Sequence, residues 1–300
     1  MVQTVAKEQF FYAFSKDNKA ALRVPSGSQI VIETYDCFQN QIQSNEAAFN
    51  SIDWNQINPA TGSIYVEDAL PGDVLKVKID NIELGDQGVM ATGPGLGVMG
   101  HRIDEFQVKI IPIEEGKAVF NEKLHLPLNP MIGVIGVAPE SEPVSCGTPG
   151  AHGGNMDTTT ITTGATLYFP IFQEGALFGL GDLHAAMGDG EIGVSGIEIP
   201  GKVTVTLEVL KGKSIRFPFI ENEEGTAVIV SKETLDEAAK EAVEIFIDTL
   251  LPHTDMNLGE LTMLMSAVGQ VQVSQIVDPL LTARFFVPKN VLEAYQVKLF

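Results

Sequence analysis

The sequence predicts a mainly β protein, with a sandwich or barrel-like β body and C-terminal helices packed on it. Short runs that alternate apolar and polar side chains recur up to about residue 230, and a helical apolar pattern follows them. Gly and Pro separate these runs at short intervals. Because no helical pattern of about 10 to 15 residues alternates with the runs, a parallel sheet of βαβ units is disfavoured.

Four segments show the alternation most clearly, because every second side chain is apolar, as in a strand with one buried face. They are Ser28–Tyr35, Asp73–Asp80, Glu105–Pro112 and Lys202–Leu210. The segments are rich in Val and Ile, which favour strands because their branched side chains pack well on a pleated surface. We therefore predict a strand at each of these four places.

A helical pattern begins near residue 231, where Ser231 is predicted to cap a helix that Pro252 ends. Its apolar positions are Leu235, Ala238, Ala239, Ala242, Val243, Phe246 and Leu250. A second helix is predicted from about Leu258 to Ile276. Because no linker or repeat interrupts the chain, we predict one domain over residues 1–300, with the β body in about 1–230 and the helical part in about 231–300.

Charge and composition exclude two classes of partner. The chain has 39 acidic and 19 basic side chains, and its formal net charge of −20 would repel nucleic acid. No segment has the roughly 20 apolar residues of a membrane span, and the first 25 residues lack the apolar run of a signal peptide. The only cysteines, Cys37 and Cys146, are far apart, which argues against a disulfide framework. We expect a cytoplasmic protein that binds neither nucleic acid nor a membrane.

The segment from residue 146 to residue 191 has the densest cluster of side chains suited to chemistry. Glycines beside His152, Asp182 and Glu191 let the backbone turn tightly and leave these side chains uncrowded. Asp182 and His184 are two positions apart, so on an extended segment both point to one face. An imidazole beside carboxylates is a ligand set for zinc or a similar divalent ion. The alternative is that these side chains cap turns and bind loop backbone, and the sequence leaves both open.

Three further patterns bear on the chemistry. Gly95–Gly100 fits the pattern G-x-G-x-x-G, but a β-type run follows it instead of a helix, so we reject a dinucleotide site. Cys146 is a candidate nucleophile, although a lone cysteine in a β protein is more often buried and inert. No G-x-S-x-G turn surrounds a serine.

Five stretches resemble the acetamidase/formamidase family in their order and spacing, and the resemblance runs from about residue 15 to residue 290. The stretches are Thr61–Leu75, Ile135–Pro139, Pro149–Asp157, Glu174–Phe178 and Gly181–Glu191. This resemblance implies a β-rich body with C-terminal helices. It also implies hydrolysis of a short amide, formamide or acetamide, to a carboxylate and ammonia.

The resemblance implies a set of site residues as well. The family's motif positions are occupied by His152, Asn155, Asp157, Asp182, His184 and Glu191. Asp36 lies where the family has an acidic residue after an early strand. The predicted ligands of a divalent metal, zinc or alternatively calcium, are Asp36, His152, Asp157, Asp182 and His184. Glu191 is the predicted general base, and Asn155 the predicted donor to the developing oxyanion.

Three functions remain open at this stage: a metal-dependent amidase, an amidase that uses Cys146, and a non-catalytic β-rich binding protein. With one Trp and 7% aromatic residues, the aromatic platform expected of the last is poorly supplied. The excess of acids around the histidines favours a small neutral substrate, because an anion would be repelled. From the apolar C-terminal helices we expect a homodimer or a larger homo-oligomer.

Overall fold

The structure, a computed structural model, describes residues 2–300 and consists mainly of short strands. The strands in this range are β1 (Gln3–Val5), β2 (Phe10–Phe11), β3 (Ala13–Phe14), β4 (Leu22–Val24), β5 (Ser28–Thr34), β6 (Ala60–Val66), β7 (Val74–Leu84), β8 (Gln87–Thr92), β9 (Gln107–Glu114), β10 (Lys117–Asn121), β11 (Leu124–Pro127), β12 (Met131–Gly136), β13 (Val144–Ser145), β14 (Gly153–Asn155), β15 (Thr166–Pro170), β16 (Phe178–His184), β17 (Gly201–Leu210), β18 (Phe219–Glu221), β19 (Gly225–Lys232), β20 (Gln270–Gln275) and β21 (Leu281–Pro288). The α-helices are α1 (Leu235–Leu250), α2 (Leu258–Val268) and α3 (Lys289–Ala294). Short 3₁₀ helices lie at Phe49–Ser51, Gly100–Arg102 and Leu251–His253. The predicted mainly β class with C-terminal helices is confirmed.

Two large sheets form the body. The larger has nine strands in the order β1-β5-β17-β7-β15-β18-β19-β21-β20. The smaller runs β14-β12-β16-β6-β2, and β4 also pairs with β6. A four-stranded sheet, β11-β10-β9-β8, lies beside them. Within the described residues the sheets do not close into a barrel.

Apolar side chains fill the space between the two large sheets. Ile30 and Ile32 of β5 and Val205 of β17 are buried in one cluster with Ile64 of β6 and Leu180 of β16. Full burial of such a side chain contributes roughly 1.5–3 kcal/mol. The four strands predicted from alternation are confirmed as β5, β7, β9 and β17. By contrast, every residue of β12 and β16 is buried, so these two central strands lack a solvent face.

The first C-terminal helix starts later than the sequence predicts. β19 continues to Lys232, and the Ser231 hydroxyl pairs with that of Thr282 at 2.9 Å instead of capping a helix. Thr234 is the cap, because its side chain accepts a hydrogen bond from the backbone N–H of Glu237. The prediction of a cap at Ser231 is therefore wrong by three residues. The apolar face predicted for this helix does pack, on β19 and β21.

The second predicted helix is too long. It ends at Val268, and Gly269 leads into Gln270–Gln275, which pairs with β21 as strand β20. The alternating run Gln-Val-Gln-Val-Ser-Gln overrides the helical spacing, because it can join the edge of an existing sheet. The prediction of a helix that continues to Ile276 is therefore wrong. The C-terminal part contributes strands β20 and β21 to the larger sheet, in addition to its helices. None of the helices in residues 2–300 is long and apolar enough to cross a membrane.

Candidate active site

His184 lies at the end of β16, the middle strand of the smaller sheet, inside a group of carboxylates. Its Nε2 atom is 3.1 Å from Glu198 Oε2 and 3.4 Å from Asp182 Oδ1. The same nitrogen is 3.9 Å from a carboxylate oxygen of Asp157 and 3.9 Å from one of Glu191. All five side chains are more than nine-tenths buried. The structure thus brings four of the residues singled out in the sequence to one point, together with Glu198.

Unusual backbone conformations aim these carboxylates inward. Asp157, Asp182 and Glu191 all have positive φ angles, of 38°, 56° and 47°. Such angles are uncommon outside glycine and cost free energy, and they cluster at functional sites. Asp182 therefore departs from regular strand geometry. Its side chain meets His184 through this local turn of the backbone rather than through simple alternation.

Two glycines leave room for the group. Gly133 of β12 lies against Asp157 and Asp182, and a methyl group at this position would overlap the carboxylate oxygens of both. A methyl group at Gly196 would lie 2.7 Å from Nδ1 of His184. Any larger residue at either position would have to displace a charged side chain from the group.

Many polar atoms of this group have no hydrogen-bond partner within residues 2–300. They are both carboxylate oxygens of Asp157, Oδ1 of Asp182, both ring nitrogens of His184 and Oε2 of Glu198. Each unsatisfied buried polar group costs about 1–3 kcal/mol, so this concentration indicates a ligand. Carboxylate oxygens and an imidazole nitrogen are ligands of divalent cations.

The spacing of the ligand atoms also fits a cation. Atoms of Asp157, His184 and Glu191 lie within 4.8 Å of one another, and so do atoms of Cys37, Asp182 and Glu198. The two sets adjoin, because Nε2 of His184, in the first set, is 3.4 Å from Asp182 and 3.1 Å from Glu198, both in the second.

Burial sets the proton affinities of the group. It raises the pKa of Glu191 and of Glu198 to about 8, against the opposing charge of His184. Burial and the charges of Glu191 and Asp182 raise the pKa of Asp157 well above its usual range. Burial alone would lower the pKa of His184, but Glu198 and Asp182 raise it well above its ordinary value. Without a cation, the group therefore retains protons that a metal would displace.

Two predicted ligands, Asp36 and His152, lie apart from the group around His184. Asp36 Oδ1 accepts the backbone N–H of Asn40 at 2.6 Å, and its side chain lines a separate crevice of about 190 Å³. Burial raises the pKa of Asp36 to about 6. The His152 ring packs edge-on against Phe14, with centroids 5.3 Å apart, and burial lowers its pKa to about 4. Neither belongs to the two compact sets of ligand atoms found in the described chain.

Asn155 contacts an acid that the sequence analysis did not single out. Its Nδ2 donates to Oδ2 of Asp278 at 3.0 Å, and its Oδ1 has no partner. Burial and the neighbouring Asp157 raise the pKa of Asp278 well above its usual range. Glu198 and Cys37 were missed as well. The signal for Glu198 was a lone acid between two isoleucines in Gly196–Pro200, whereas Cys37 and Asp278 reach the site only through tertiary packing.

The group borders a cavity of about 340 Å³. Its polar lining includes Asn155, Asp182, Glu191, Glu198 and Asp278, and its apolar lining includes Phe38, Trp54, Ile57, Leu96, Val194 and Pro279. Cys146 lies elsewhere, fully buried in an apolar cluster with Phe14, Ala60 and Val134. Burial also raises the pKa of its thiol, which disfavours the reactive thiolate.

Comparison with known proteins gives consistent results. The model of the Acetamidase/Formamidase family matches residues 3–145 and 144–294. The structure of a recombinant predicted acetamidase/formamidase from Thermoanaerobacter tengcongensis is 52% identical, with a TM-score of 0.97 over 99% of each chain. An acetamidase structure from Bacillus halodurans is 44% identical, with a TM-score of 0.96 over 98% of this chain and 100% of that one. A formamidase of Methylophilus methylotrophus is 26% identical in a match of 252 aligned positions that covers 63% of this chain and 61% of that protein. The match thus spans about three fifths of this curated relative.

Proposed function

This chain belongs to the acetamidase/formamidase family, and from that premise we propose that it hydrolyses a short carboxamide to a carboxylate and ammonia with the help of a divalent cation. Formamide and acetamide are among its substrates. The observation that carries the proposal is the buried group around His184, whose oxygens lack partners and border a cavity. Zinc is the proposed ion, and calcium is the alternative.

The proposed ligands are His184, Asp157 and Asp182. Glu198 is proposed as a further ligand, because its Oε2 is only 3.1 Å from Nε2 of His184. Asp36 and His152 are proposed to act from outside this set, Asp36 through its charge near Asp182. When bound, a divalent ion would polarise the amide carbonyl and lower the pKa of a bound water.

Glu191 is the proposed general base. It accepts a proton from the attacking water as the new C–O bond forms, and the proton then passes to the amide nitrogen as the C–N bond breaks and ammonia leaves. A positioned base of this kind contributes about 10²–10⁴-fold to the rate. In the metal-free chain, burial raises the pKa of Glu191 to about 8, and a bound cation would favour its ionised form, which can accept a proton. Asn155 is proposed to donate its second Nδ2 hydrogen to the carbonyl oxygen, while the first binds Asp278.

An amidase that uses Cys146 has less support. A nucleophilic thiol must be reached by substrate and ionise near neutral pH. Cys146 is fully buried, and burial raises the pKa of its thiol. Its Sγ contacts the backbone oxygen of Phe11 at 3.6 Å rather than a basic side chain. The proposed site therefore leaves Cys146 in a packing role.

The direct test is elemental analysis of the purified protein combined with ammonia release from formamide, acetamide, propionamide and urea. We expect one or more divalent ions per chain and overlapping activities on formamide and acetamide, because one methylene changes binding by about 1–3 kcal/mol. Chelation should remove the activity, and adding back zinc should restore it. If the metal-loaded protein releases no ammonia from any short amide, the proposal is wrong.

Two further proposals concern the setting of this reaction. The cytoplasm is the proposed location, since both cysteines are buried free thiols, which suits a reducing compartment. A homodimer or larger homo-oligomer is proposed because apolar side chains of the C-terminal part are exposed, including Leu258, Met263 and Val271. Light scattering would measure the mass in solution, and a monomeric mass would contradict the second proposal.

A further inference from the structure

The cavity beside His184 is larger than formamide or acetamide requires. Its volume is about 340 Å³. A water molecule takes about 30 Å³ in the liquid, and an amide of three or four non-hydrogen atoms takes roughly two to three times as much. A small amide together with a reacting water would thus leave more than half of the space unfilled. Cavities of roughly 300–1,000 Å³ are usual for larger organic ligands.

Ordered apolar side chains wall this extra space. The rings of Phe38 and Trp54 pack edge to face, with centroids 6.4 Å apart. Trp54 also packs against Phe106, and its Nε1 donates to the backbone oxygen of Phe49 at 3.1 Å. The indole is therefore held in place on the cavity wall, where its face suits an apolar group better than it suits water.

Leu96 reaches the same cavity from the glycine-rich segment Gly95–Gly100. Gly95 and Gly97 have φ angles of 77° and 65°, and the N–H of Gly95 donates to the oxygen of Gly100 at 3.0 Å. A tight turn of this kind requires glycine at these two positions. The segment that matched a nucleotide motif thus serves here to place one leucine at the site.

A backbone hydrogen bond fixes this turn relative to the proposed base. The N–H of Val98 donates to the oxygen of Ile192 at 2.9 Å, one residue after Glu191. Val194, three residues after Glu191, lines the cavity together with Leu96. The segment Gly95–Gly100 and the residues that follow Glu191 therefore set the distance between Glu191 and the apolar wall formed by Leu96 and Val194.

We propose that the preferred substrate is a carboxamide with a bulky apolar acyl group, branched or aromatic, and that Leu96 limits the size of this group. The proposal rests on the function proposed above and names its substrate class. The carboxamide lies at the carboxylates around His184, and the acyl group extends along Trp54 and Leu96. The acyl group displaces water molecules that the apolar side chains of Trp54 and Leu96 bind poorly. A larger apolar acyl group should therefore bind more tightly.

The experiment measures kcat and KM for ammonia release from formamide, acetamide, isobutyramide and benzamide with the metal-loaded enzyme. We expect kcat/KM to rise at least about tenfold from acetamide to isobutyramide, mainly through a lower KM. Leu96→Trp should lower the ratio of kcat/KM for isobutyramide to that for formamide at least about tenfold. Leu96→Ala should raise the corresponding ratio for benzamide. Leu124→Trp, at a position 47% exposed on β11, is the control that leaves these ratios unchanged.

Circular dichroism and metal content establish that each variant is folded and loaded, and Leu96→Ala gives the answer if the tryptophan variant fails to fold. A value of kcat/KM that stays level or falls from acetamide to isobutyramide overturns the proposal. So does an equal loss on all amides in both Leu96 variants. Activity on formamide with none on larger amides would defeat this inference alone, whereas a loaded enzyme that releases ammonia from no amide would defeat the proposed function as well.

Discussion

Arg284 and His184 are both buried ionisable side chains. They differ in how completely the polar atoms around them are hydrogen-bonded by the protein. Arg284 donates through Nε to Gln272 at 2.8 Å, through Nη1 to the backbone oxygen of Val273 at 2.7 Å, and through Nη2 to Asp189 at 2.7 Å. Around His184, both ring nitrogens and several carboxylate oxygens have no partner in the described chain. The hydrogen bonds of Arg284 with Gln272, Val273 and Asp189 are thus completed by the protein itself, and we call them the closed network. The group around His184 lacks such partners, and we call it the open network.

This difference teaches what each network is for. A satisfied polar network fixes local structure, whereas an unsatisfied one costs stability unless a ligand completes it. The two are also connected. Asp189, which pairs with Arg284, lies two residues before Glu191, and the N–H of Gly190 donates to the oxygen of Ser274 at 2.7 Å. The closed network therefore holds the segment that supplies Glu191 to the open one.

The largest effect is expected from His184→Ala, which removes the centre of the open network. Loss of the imidazole should abolish bound metal and lower amide hydrolysis by at least about 100-fold, because changing a residue that only orients a metal ligand already costs about 10–100-fold. The fold should persist, since neither ring nitrogen makes a hydrogen bond within residues 2–300. Circular dichroism, metal content and ammonia release measure these outcomes, with His253→Ala as the exposed control. A folded variant with unchanged metal and activity would return His184 to a structural role.

Gly133→Ala tests whether the open network needs its exact shape. The added methyl group must push Asp157 or Asp182 aside, so metal affinity should fall about 10–100-fold, as for other disturbed ligand positions. Titration with zinc measures the affinity. Gly188→Ala is the matched control, because its methyl group would meet no atom within 4 Å. Equal affinities in the two variants would contradict the proposed geometry.

Arg284→Met tests the closed network. Breaking a buried ion pair costs about 3–5 kcal/mol, and we expect about 3 kcal/mol because the Asp189 side chain is 44% exposed. Urea denaturation of the metal-free protein measures this loss. Lys289→Met breaks an exposed pair with Glu293 and should cost at most about 1 kcal/mol. Similar losses in both variants would mean that Arg284 does not hold the structure as described.

The stability of the metal-free protein should fall as the pH rises from 6 to 8.5. The folded pKa of Glu191, about 8, lies above its ordinary value of 4.5, so the folded state binds more protons than the unfolded state between these values. The raised pKa of His184 acts in the same direction. Stability contributed by both groups is therefore present at low pH and lost as the pH rises through their folded pKa values. Thermal unfolding with a chelator should show the fall, and zinc should reduce it. A melting temperature independent of pH would be contrary evidence.

Cys146→Ser should have the smallest effect, with kcat/KM for acetamide changed by less than about twofold. The hydroxyl can retain the contact with the backbone oxygen of Phe11. Cys37→Ser is the informative comparison, because the Cys37 thiol lies with Asp182 and Glu198 on the cavity. Ammonia release before and after thiol alkylation completes the test. Loss of activity in Cys146→Ser would favour the thiol-dependent alternative.

The sequence predicted those elements whose pattern is local. Alternation identified β5, β7 and β17, whose buried residues recur at alternate positions, and also β9, where Ile111 is the one buried residue. Strand β20 was missed because apolar residues at helical spacing continue into Gln270–Gln275, and only pairing with β21 decides between the two patterns. The sequence signal for the start of α1 was likewise misplaced. Ser231 was predicted as the cap, but it belongs to strand β19 of the larger sheet, which continues to Lys232.

The candidate site shows the same limit. The motif-rich stretch up to Glu191 supplied three of the acids that meet at His184, because Asp182 and Glu191 adjoin glycines and Asp157 lies in a stretch that resembles the family. Glu198 was hidden in an apolar run, although its oxygen is the nearest to the imidazole. Asp278 comes from the C-terminal part of the chain, where no local pattern marks it. Which acids meet at His184 is therefore decided by the pairing of segments that are distant in sequence, and the spacing of residues along the chain does not reveal it.

The spread of these acids along the chain has a consequence for synthesis. Proteins emerge from the ribosome at about 5–20 residues per second, so Asp157, Asp182 and His184 appear well before Asp278 and before the strand pair β20–β21 that anchors Gly190. A chain that stops early has the repelling carboxylates without the segments that hold them together. The proposed ligands are thus all synthesised before the strands that hold the Glu191 segment in place, so the site gains its final shape only when the C-terminal part has folded.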